Sequence, residues 1–197
     1  MRAGLIWTAL LVALVGPVAI AATSPLLQWR EPVYIVAGFA GIIALALMLV
    51  QPLLAAGVLP GLPRGPGRRV HQWTGAALIG AVLVHVGGLW VTSPPDVVDA
   101  LLFVSATPFS IWGVIAMWAL LAAGLLAALR ARLMPRVWRL GHSALVSVAV
   151  AGTVVHAALI EGPMGTVSKL ALSALVVGAL AVVLYRLRAW TLIRRRS

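Results

Sequence analysis

The chain alternates between long apolar runs and short polar connections. Six runs reach or approach the roughly 20 residues that cross the hydrocarbon core of a bilayer. Lipid cannot satisfy exposed backbone polar groups, so we expect each run to be a helix. The predicted fold is an all-α polytopic membrane protein, a six-helix transmembrane bundle forming one domain over residues 1–197. The predicted spans are residues 4–22, 33–57, 70–92, 108–130, 137–160 and 166–187.

Composition supports a membrane protein and narrows the cofactor chemistry. Hydrophobic residues make up 62% of the chain, the mean hydropathy is +1.08, and charged residues make up 10%. Soluble domains carry about 25% charged residues. The chain has no cysteine. Disulfides, iron–sulfur clusters and thiolate ligation of haem are therefore excluded.

The first span has a second interpretation. Arg2 precedes an apolar run that ends in Ala19-Ile20-Ala21-Ala22, which is typical of a signal peptide with a small-residue cleavage site. Residues 1–22 would then be removed. The even number of spans favours a retained helix, and this is the expectation we carry forward.

The distribution of charge predicts an orientation. The formal net charge is +11, and the arginines concentrate on alternate connections and at the termini. The other connections hold Arg30, Lys169 and all four acidic residues. By the positive-inside rule, both termini are cytoplasmic and the protein is a multi-pass protein of the inner, or plasma, membrane. Because the arginines set topology, we expect no nucleic-acid partner, and membrane lipid is the surrounding partner.

The four histidines form two pairs with equal spacing. His71 and His85 lie on predicted span three, and His142 and His156 lie on predicted span five. Thirteen residues separate the members of each pair. This interval corresponds to about 3.9 helical turns and about 21 Å of rise, so both members project from nearly the same face at two depths.

Pairing between the two helices is the natural arrangement. Spans three and five are both odd-numbered and therefore run in the same direction. His71 and His142 then lie near the cytoplasm, whereas His85 and His156 lie toward the outer side. A single iron cannot bind two imidazoles about 21 Å apart on one helix. The pattern predicts two haems b between these helices, with His71/His142 and His85/His156 as axial ligands of the iron.

Three other interpretations of the histidines remain open. They could be packing or interfacial residues, although ionisable residues inside spans are expensive and usually functional. A non-haem zinc or iron site would need three or four ligands, often with a carboxylate, and no span interior contains Asp or Glu. The same lack of carboxylates disfavours a pump or an ion-coupled transporter.

Residues around the histidines fit haem but also fit simpler roles. Small residues on the histidine spans could make room for a flat macrocycle, or could serve ordinary helix packing. Basic residues near the cytoplasmic ends could neutralise haem propionates, or could only set topology. The small residues include Gly75, Gly80, Gly87, Gly88, Gly141 and Gly152, and the basic residues are Arg68, Arg69, Arg136 and Arg139.

These residues resemble a known family. Six spans, with two histidines on the third and two on the fifth, resemble the ferric-reductase-like transmembrane domain superfamily. Residues 136–142, Arg-Val-Trp-Arg-Leu-Gly-His, resemble that family's entry to the fifth helix, with Gly141 placed before the histidine. The resemblance covers about residues 30–190. It implies that the four histidines are axial ligands of two b haems. Among its members, the chain is most similar to short bacterial ones such as the haem-binding membrane subunit of methionine sulfoxide reductase systems.

The expected function is transmembrane electron transfer as a subunit of an oxidoreductase. The electron donor is a cytoplasmic flavin reductase or quinol, with FMN or a quinone as an open further cofactor. The acceptor is ferric iron or a periplasmic partner oxidoreductase. Two alternatives remain: a quinol-oxidising cytochrome b that anchors a respiratory complex, and a haem-free membrane assembly or transport protein.

Overall fold

The computed structural model describes residues 1–186, and all of the regular secondary structure within that range is helical. Two single-turn 3₁₀ helices, Pro25–Leu27 and Arg130–Arg132, lie in connections. The all-α six-span bundle predicted from the hydropathy pattern is confirmed, and residue 187 of the predicted last span lies outside the described residues. The α-helices are α1 (Arg2–Ala22), α2 (Pro32–Ala56), α3 (Arg64–Thr92), α4 (Pro94–Leu101), α5 (Ser110–Ala128), α6 (Pro135–Leu159) and α7 (Thr166–Arg186).

Six of these helices are long and apolar enough to cross a membrane, and α4 is the exception. The hydropathy pattern does not predict α4, because eight residues give too little periodicity. Its local signals are Pro94 and Pro95 at the start, which suit the first helical turn. The Ser93 hydroxyl also donates a hydrogen bond of 2.5 Å to Asp96 in that turn.

Four spans begin earlier than the hydropathy predicts, among them the two that carry the histidines. Helix α3 starts at Arg64, so Arg64, Arg68 and Arg69 lie on its first turns and not in a connection. Helix α6 starts at Pro135 and likewise carries Arg136. The hydropathy falls where the charges begin, whereas the helical hydrogen-bond pattern continues beyond the apolar segment.

Short connections make successive spans antiparallel, so the bundle has two distinct ends. Helices α3 and α6 both start at one end and run parallel to each other. We call that end the basic end, because it carries Arg64, Arg68, Arg69, Arg130, Arg132, Arg136 and Arg139. The opposite end is called the acidic end, because it carries Glu31, Asp96, Asp99 and Glu161.

A glycine-dependent turn at the basic end joins α2 to α3. Gly57 has φ 63°, and its N–H bonds to the Leu54 carbonyl at 3.1 Å. The Val58 N–H bonds to the Leu53 carbonyl at 3.3 Å, which completes a Schellman-type helix end. A Cβ on Gly57 would lie 2.7 Å from Arg64 Cγ. The turn thus brings the first residues of α3 directly against the end of α2.

Two hairpins, α2–α3 and α5–α6, form the structural units of the bundle. In each hairpin, the two helices approach closely at a glycine, where no side chain keeps them apart. A Cβ on Gly88 of α3 would lie 2.7 Å from the Cβ of Ala37 on α2. A Cβ on Gly152 of α6 would lie 2.9 Å from the Trp112 carbonyl oxygen on α5. Both glycines, which sequence analysis considered as haem neighbours, serve helix packing.

Helix α2 lies at the centre of the fold. It packs against α3 on one side and against α1 and α7 on the other. Its buried core includes Leu54, and the facing core of α7 includes Leu172 and Val176. Helices α3 and α6 approach each other much less closely than each approaches its hairpin partner. Each histidine helix is therefore held mainly by its hairpin partner and not by the other histidine helix.

The crossing at Gly88 predicts a specific loss of stability. In Gly88→Ala, the new Cβ overlaps the Ala37 Cβ, and neither atom can rotate away. Overpacking of this kind costs about 1–3 kcal/mol. Denaturation of the purified protein in detergent measures the difference. The matched control is Gly87→Ala, because nothing lies within 4 Å of a Cβ at Gly87. Equal stability of the two variants would contradict the proposed crossing.

Candidate functional site

The four histidines lie between the two hairpins, at two levels of the bundle. All four side chains are partly buried. At the level nearer the basic end, the ring centroids of His71 and His142 are 6.5 Å apart. At the level nearer the acidic end, those of His85 and His156 are also 6.5 Å apart. The structure thus brings together the same two pairs that the spacing suggested.

The separation of the rings suits one metal ion between each pair. Imidazole–metal bonds of about 2.0 Å, plus ~1.15 Å from each nitrogen to its ring centroid, separate two trans imidazoles by roughly 6.3 Å. The observed separation at both levels is close to this value. The ring planes are nearly perpendicular, with interplanar angles of 75° for His71/His142 and 80° for His85/His156.

Each imidazole is held by a hydrogen bond to the other helix of its own hairpin. In every case Nδ1 faces a backbone carbonyl, which can only accept, so Nδ1 carries the proton. The Nε2 lone pair is then free, and no Nε2 makes a hydrogen bond within residues 1–186. The bonds are His71 to Gln51 O (3.0 Å), His85 to Ala37 O (2.8 Å), His142 to Ala123 O (3.3 Å) and His156 to Phe109 O (2.9 Å).

The same register recurs in both hairpins. On α2, the acceptors Ala37 and Gln51 are fourteen positions apart, as are the two histidines of α3. In the other hairpin, the acceptors are Phe109, which immediately precedes α5, and Ala123 on α5, and they are also fourteen positions apart. Because the helices are antiparallel, each histidine finds a carbonyl at its own level. The two hairpins therefore form a structural repeat, which extends the sequence observation of paired histidine helices.

Two glycines make room for the histidines nearer the acidic end. A Cβ on Gly41 of α2 would lie 3.0 Å from His85 Nδ1. A Cβ on Gly113 of α5 would lie 2.7 Å from His156 Nδ1 and 2.8 Å from its Cε1. Each glycine stands four residues after the carbonyl that its histidine binds. The groove beside that carbonyl thus admits an imidazole only because the side chain is absent.

An aromatic side chain covers the pair nearer the basic end. The Trp138 ring stacks on His142, with centroids 5.7 Å apart and planes inclined by 15°. The guanidinium carbon of Arg130 lies 5.0 Å from the centre of the Trp138 ring. The Trp138 Nε1 atom is buried and has no hydrogen-bond partner among residues 1–186. A buried donor of this kind usually has a partner, so it marks a place for an acceptor group.

The two levels differ in their other neighbours. Near the basic end, the Gln51 amide donates a 2.8 Å hydrogen bond to the Thr74 hydroxyl, which adds a polar contact between α2 and α3. Near the acidic end, the Phe109 ring meets His156 edge-on, with centroids 5.7 Å apart. The first level is therefore the more polar of the two.

All four arginines considered as propionate partners lie at the basic end; Arg68, Arg69 and Arg139 have exposed side chains, and Arg136 is half-buried. Arg68 Nε donates to the Arg64 carbonyl at 3.2 Å, and Arg139 Nε donates to the Pro135 carbonyl at 3.3 Å. Both bonds stay within the arginine's own helix. Arg69 is also exposed and lies beside Arg68 on α3.

The available donor set limits the chemistry of the two sites. Among residues 1–186, no group of three or more His, Cys, Asp or Glu side chains could hold a metal ion together. A protein zinc site typically needs three or four protein ligands. Two free imidazole nitrogens on opposite sides instead suit a metal that arrives with its other ligands already in place. Haem iron is such a metal, because the porphyrin supplies four nitrogens.

Comparison with known proteins identifies the family. The sequence profile of the ferric reductase like transmembrane component matches residues 37–153, which is more than half of the chain. The chain therefore belongs to this family, as its histidine pattern predicted. The matched stretch contains three of the four histidines and ends three residues before His156. Searches of curated proteins and of solved structures find no match.

Sequence reasoning missed the residues that hold the histidines in place. Gly41 and Gly113 lie on helices without histidines, more than forty positions from the rings they contact. The acceptors are backbone carbonyls, which every residue has, so no residue type in the sequence identifies them. The stacking of Trp138 on His142 is likewise not indicated by the sequence. The hairpin register would have identified these residues, but it emerges only when the helices are packed.

The contact between Gly113 and His156 predicts a local change. In Gly113→Ala, the new Cβ would displace the His156 ring and lengthen its hydrogen bond to the Phe109 carbonyl. With histidine-selective ¹⁵N labelling, we expect four Nδ1–H signals in diamagnetic protein, one of which shifts in this variant. The matched control Gly38→Ala, where nothing lies within 4 Å of a Cβ, should shift none. Protonated Nε2 signals would contradict the assigned tautomer.

Proposed function

We propose that the chain is a di-haem b-type cytochrome that carries electrons across a membrane. Its family is consistent with a membrane electron-transfer component. His71 with His142 would hold one haem, and His85 with His156 would hold the other. The observation that carries the proposal is the repeated geometry of two imidazole pairs, each 6.5 Å between centroids with Nε2 free. Two haems would supply one-electron carriers at two depths about 21 Å apart along the helices.

The described residues support this role by orienting and protecting the ligands. The carbonyls of Gln51, Ala37, Ala123 and Phe109 hold Nδ1–H, which keeps Nε2 available and makes the ligand more basic. With two histidines to each haem, the sites would suit outer-sphere electron transfer and not oxygen binding.

The basic end offers partners for the anionic edge of a haem. Haem carries two propionate carboxylates, and the buried Nε1–H of Trp138 is a donor without a partner among residues 1–186. Arg68, Arg69 and Arg139 supply positive charge at the same end of the bundle. Guanidinium groups pair well with carboxylates. We assign these four residues to the binding of the haem between His71 and His142.

The positive-inside rule places the basic end and both termini in the cytoplasm. In this orientation the protein is a multi-pass protein of the inner, or plasma, membrane. Electrons enter near His71 and His142 and leave near His85 and His156. The proposed donor is a cytoplasmic flavin reductase or quinol, with FMN or a quinone as the mediating cofactor. The proposed acceptor is ferric iron or a periplasmic partner oxidoreductase, as in methionine sulfoxide reductase systems.

Spectroscopy of histidine variants tests the proposal. We expect dithionite-reduced minus oxidised spectra of the purified protein to show b-type bands from about two haems per chain. His71→Ala and His85→Ala should each lose about half of the signal, since each removes one ligand of a different pair. The matched control is Gln72→Ala, because Gln72 is an exposed neighbour of His71 on the same helix. It should keep both haems.

Other outcomes of the same experiment separate the alternatives. A spectrum without b-type bands, unchanged by the histidine variants, would exclude the proposal and favour a haem-free protein. Rapid reduction of the haems by quinol alone would favour a quinol-oxidising cytochrome b. Reduction only in the presence of a flavin reductase would favour a flavin-dependent donor.

A further inference from the structure

Lys169 is the one charged side chain that is buried among residues 1–186. Its exposed fraction is 8%, and it lies on the first turn of α7 at the acidic end. No carboxylate lies within ion-pair distance of it in the described part of the chain. Burial of a charge is expensive unless hydrogen bonds or charges compensate it. An unpaired buried lysine in this position therefore calls for an explanation.

The ammonium group of Lys169 binds the free end of α6. Lys169 Nζ donates hydrogen bonds to the carbonyl oxygens of Ala158 at 3.1 Å and Ile160 at 2.5 Å. The last four carbonyls of a helix lack partners within the helix. Together they carry the negative end of the helix dipole, equivalent to about half an elementary charge. Lys169 therefore satisfies and neutralises the end of α6.

This helix end also carries a proposed haem ligand. His156 lies three residues before the last residue of α6, and its carbonyl accepts a 3.2 Å hydrogen bond from the Ile160 N–H. Ile160 stands about 6 Å farther along the helix axis than His156. The charge of Lys169 consequently acts within about one helical turn of the pair His85/His156.

The charged residues at the two ends of the bundle oppose electron flow toward that pair. The dipoles of the spans largely cancel, because α1, α3 and α6 begin at the basic end and α2, α5 and α7 begin at the acidic end. The arginines cluster at the basic end, whereas Glu31, Asp96, Asp99 and Glu161 lie at the acidic end. Both charge clusters favour an added electron between His71 and His142 over one between His85 and His156. Lys169 is a buried positive charge near the second pair, so it acts in the opposite direction and favours an added electron between His85 and His156.

We propose that Lys169 raises the reduction potential of the haem held by His85 and His156, and thereby draws electrons from the first pair to the second. This inference rests on the proposed function and adds a direction to it. Lys169 is a positioning residue: it touches the end of α6 and acts on the site through charge and through the placement of His156. A lysine that only capped the helix would affect stability without shifting one potential selectively.

Redox titration of the haem-loaded protein in detergent tests the role of the charge. In Lys169→Met, we expect the midpoint potential of one haem to fall while the other stays unchanged. Lys169→Arg should largely restore the unsubstituted value, because it keeps the charge. The matched control is Arg30→Met, which removes an exposed positive charge from the acidic end and should move neither potential.

Variants that retain only one complete histidine pair show which haem has the shifted midpoint potential. In His71→Ala, only the second pair retains both ligands, and Lys169→Met should lower its potential. In His85→Ala, only the first pair remains intact, and the same substitution should have no effect. If Lys169→Met does not assemble, Lys169→Gln serves instead, because its amide can still donate to the carbonyls without a charge.

The outcomes distinguish this inference from the function on which it rests. If the midpoint potentials of both haems are unchanged in Lys169→Met and Lys169→Gln, the proposed role of Lys169 is wrong and the di-haem function is unaffected. An equal shift in Lys169→Arg would also overturn it, since the effect would then come from packing and not from charge. Absence of any haem in the unsubstituted protein would overturn the proposed function itself.

Discussion

The hydrogen bond from each histidine Nδ1 to a carbonyl of the neighbouring antiparallel helix is the interaction on which the site depends. It assigns the proton to Nδ1 and leaves Nε2 free. It also requires each histidine helix to keep one register against its hairpin partner. A slip of one residue on either helix would rotate the acceptor by about 100° around the helix axis. The positions of the histidine rings and the packing of the two hairpins are therefore specified together.

Glycine packing makes this interaction sterically permissible. Gly88 and Gly152 let the two helices of each hairpin approach closely, and Gly41 and Gly113 let the imidazole rings reach into the grooves. In a lipid environment the hydrophobic effect does little to hold helices together, so close packing and interhelical hydrogen bonds carry more of the stability. Small residues on α2 and α5 are thus as important to the site as the histidines on α3 and α6.

Much of this architecture could be predicted from residue patterns. Hydropathy alone predicts the six spans, and the parity of the spans together with the spacing of the histidines predicts which rings meet. The short helix α4 escapes prediction because eight residues carry little periodicity. The sequence does not predict the roles of Gly41, Gly113 and Lys169. These roles depend on contacts between helices that are far apart in the sequence, and the periodicity within one helix carries no information about such contacts. Of the two roles left open for the small residues on the histidine helices, helix packing is the one that the contacts of Gly88 and Gly152 support.

The nearly perpendicular imidazole planes make the central claim directly measurable. Perpendicular axial imidazoles leave two d orbitals of low-spin ferric haem almost equal in energy, which gives a strongly anisotropic EPR spectrum with one large g value. Parallel rings give an ordinary rhombic spectrum. With interplanar angles of 75° and 80°, the oxidised protein should show two strongly anisotropic low-spin signals at low temperature. High-spin ferric signals, rhombic low-spin signals or no haem signal would contradict the claim that these two pairs of histidines bind haem in the observed geometry.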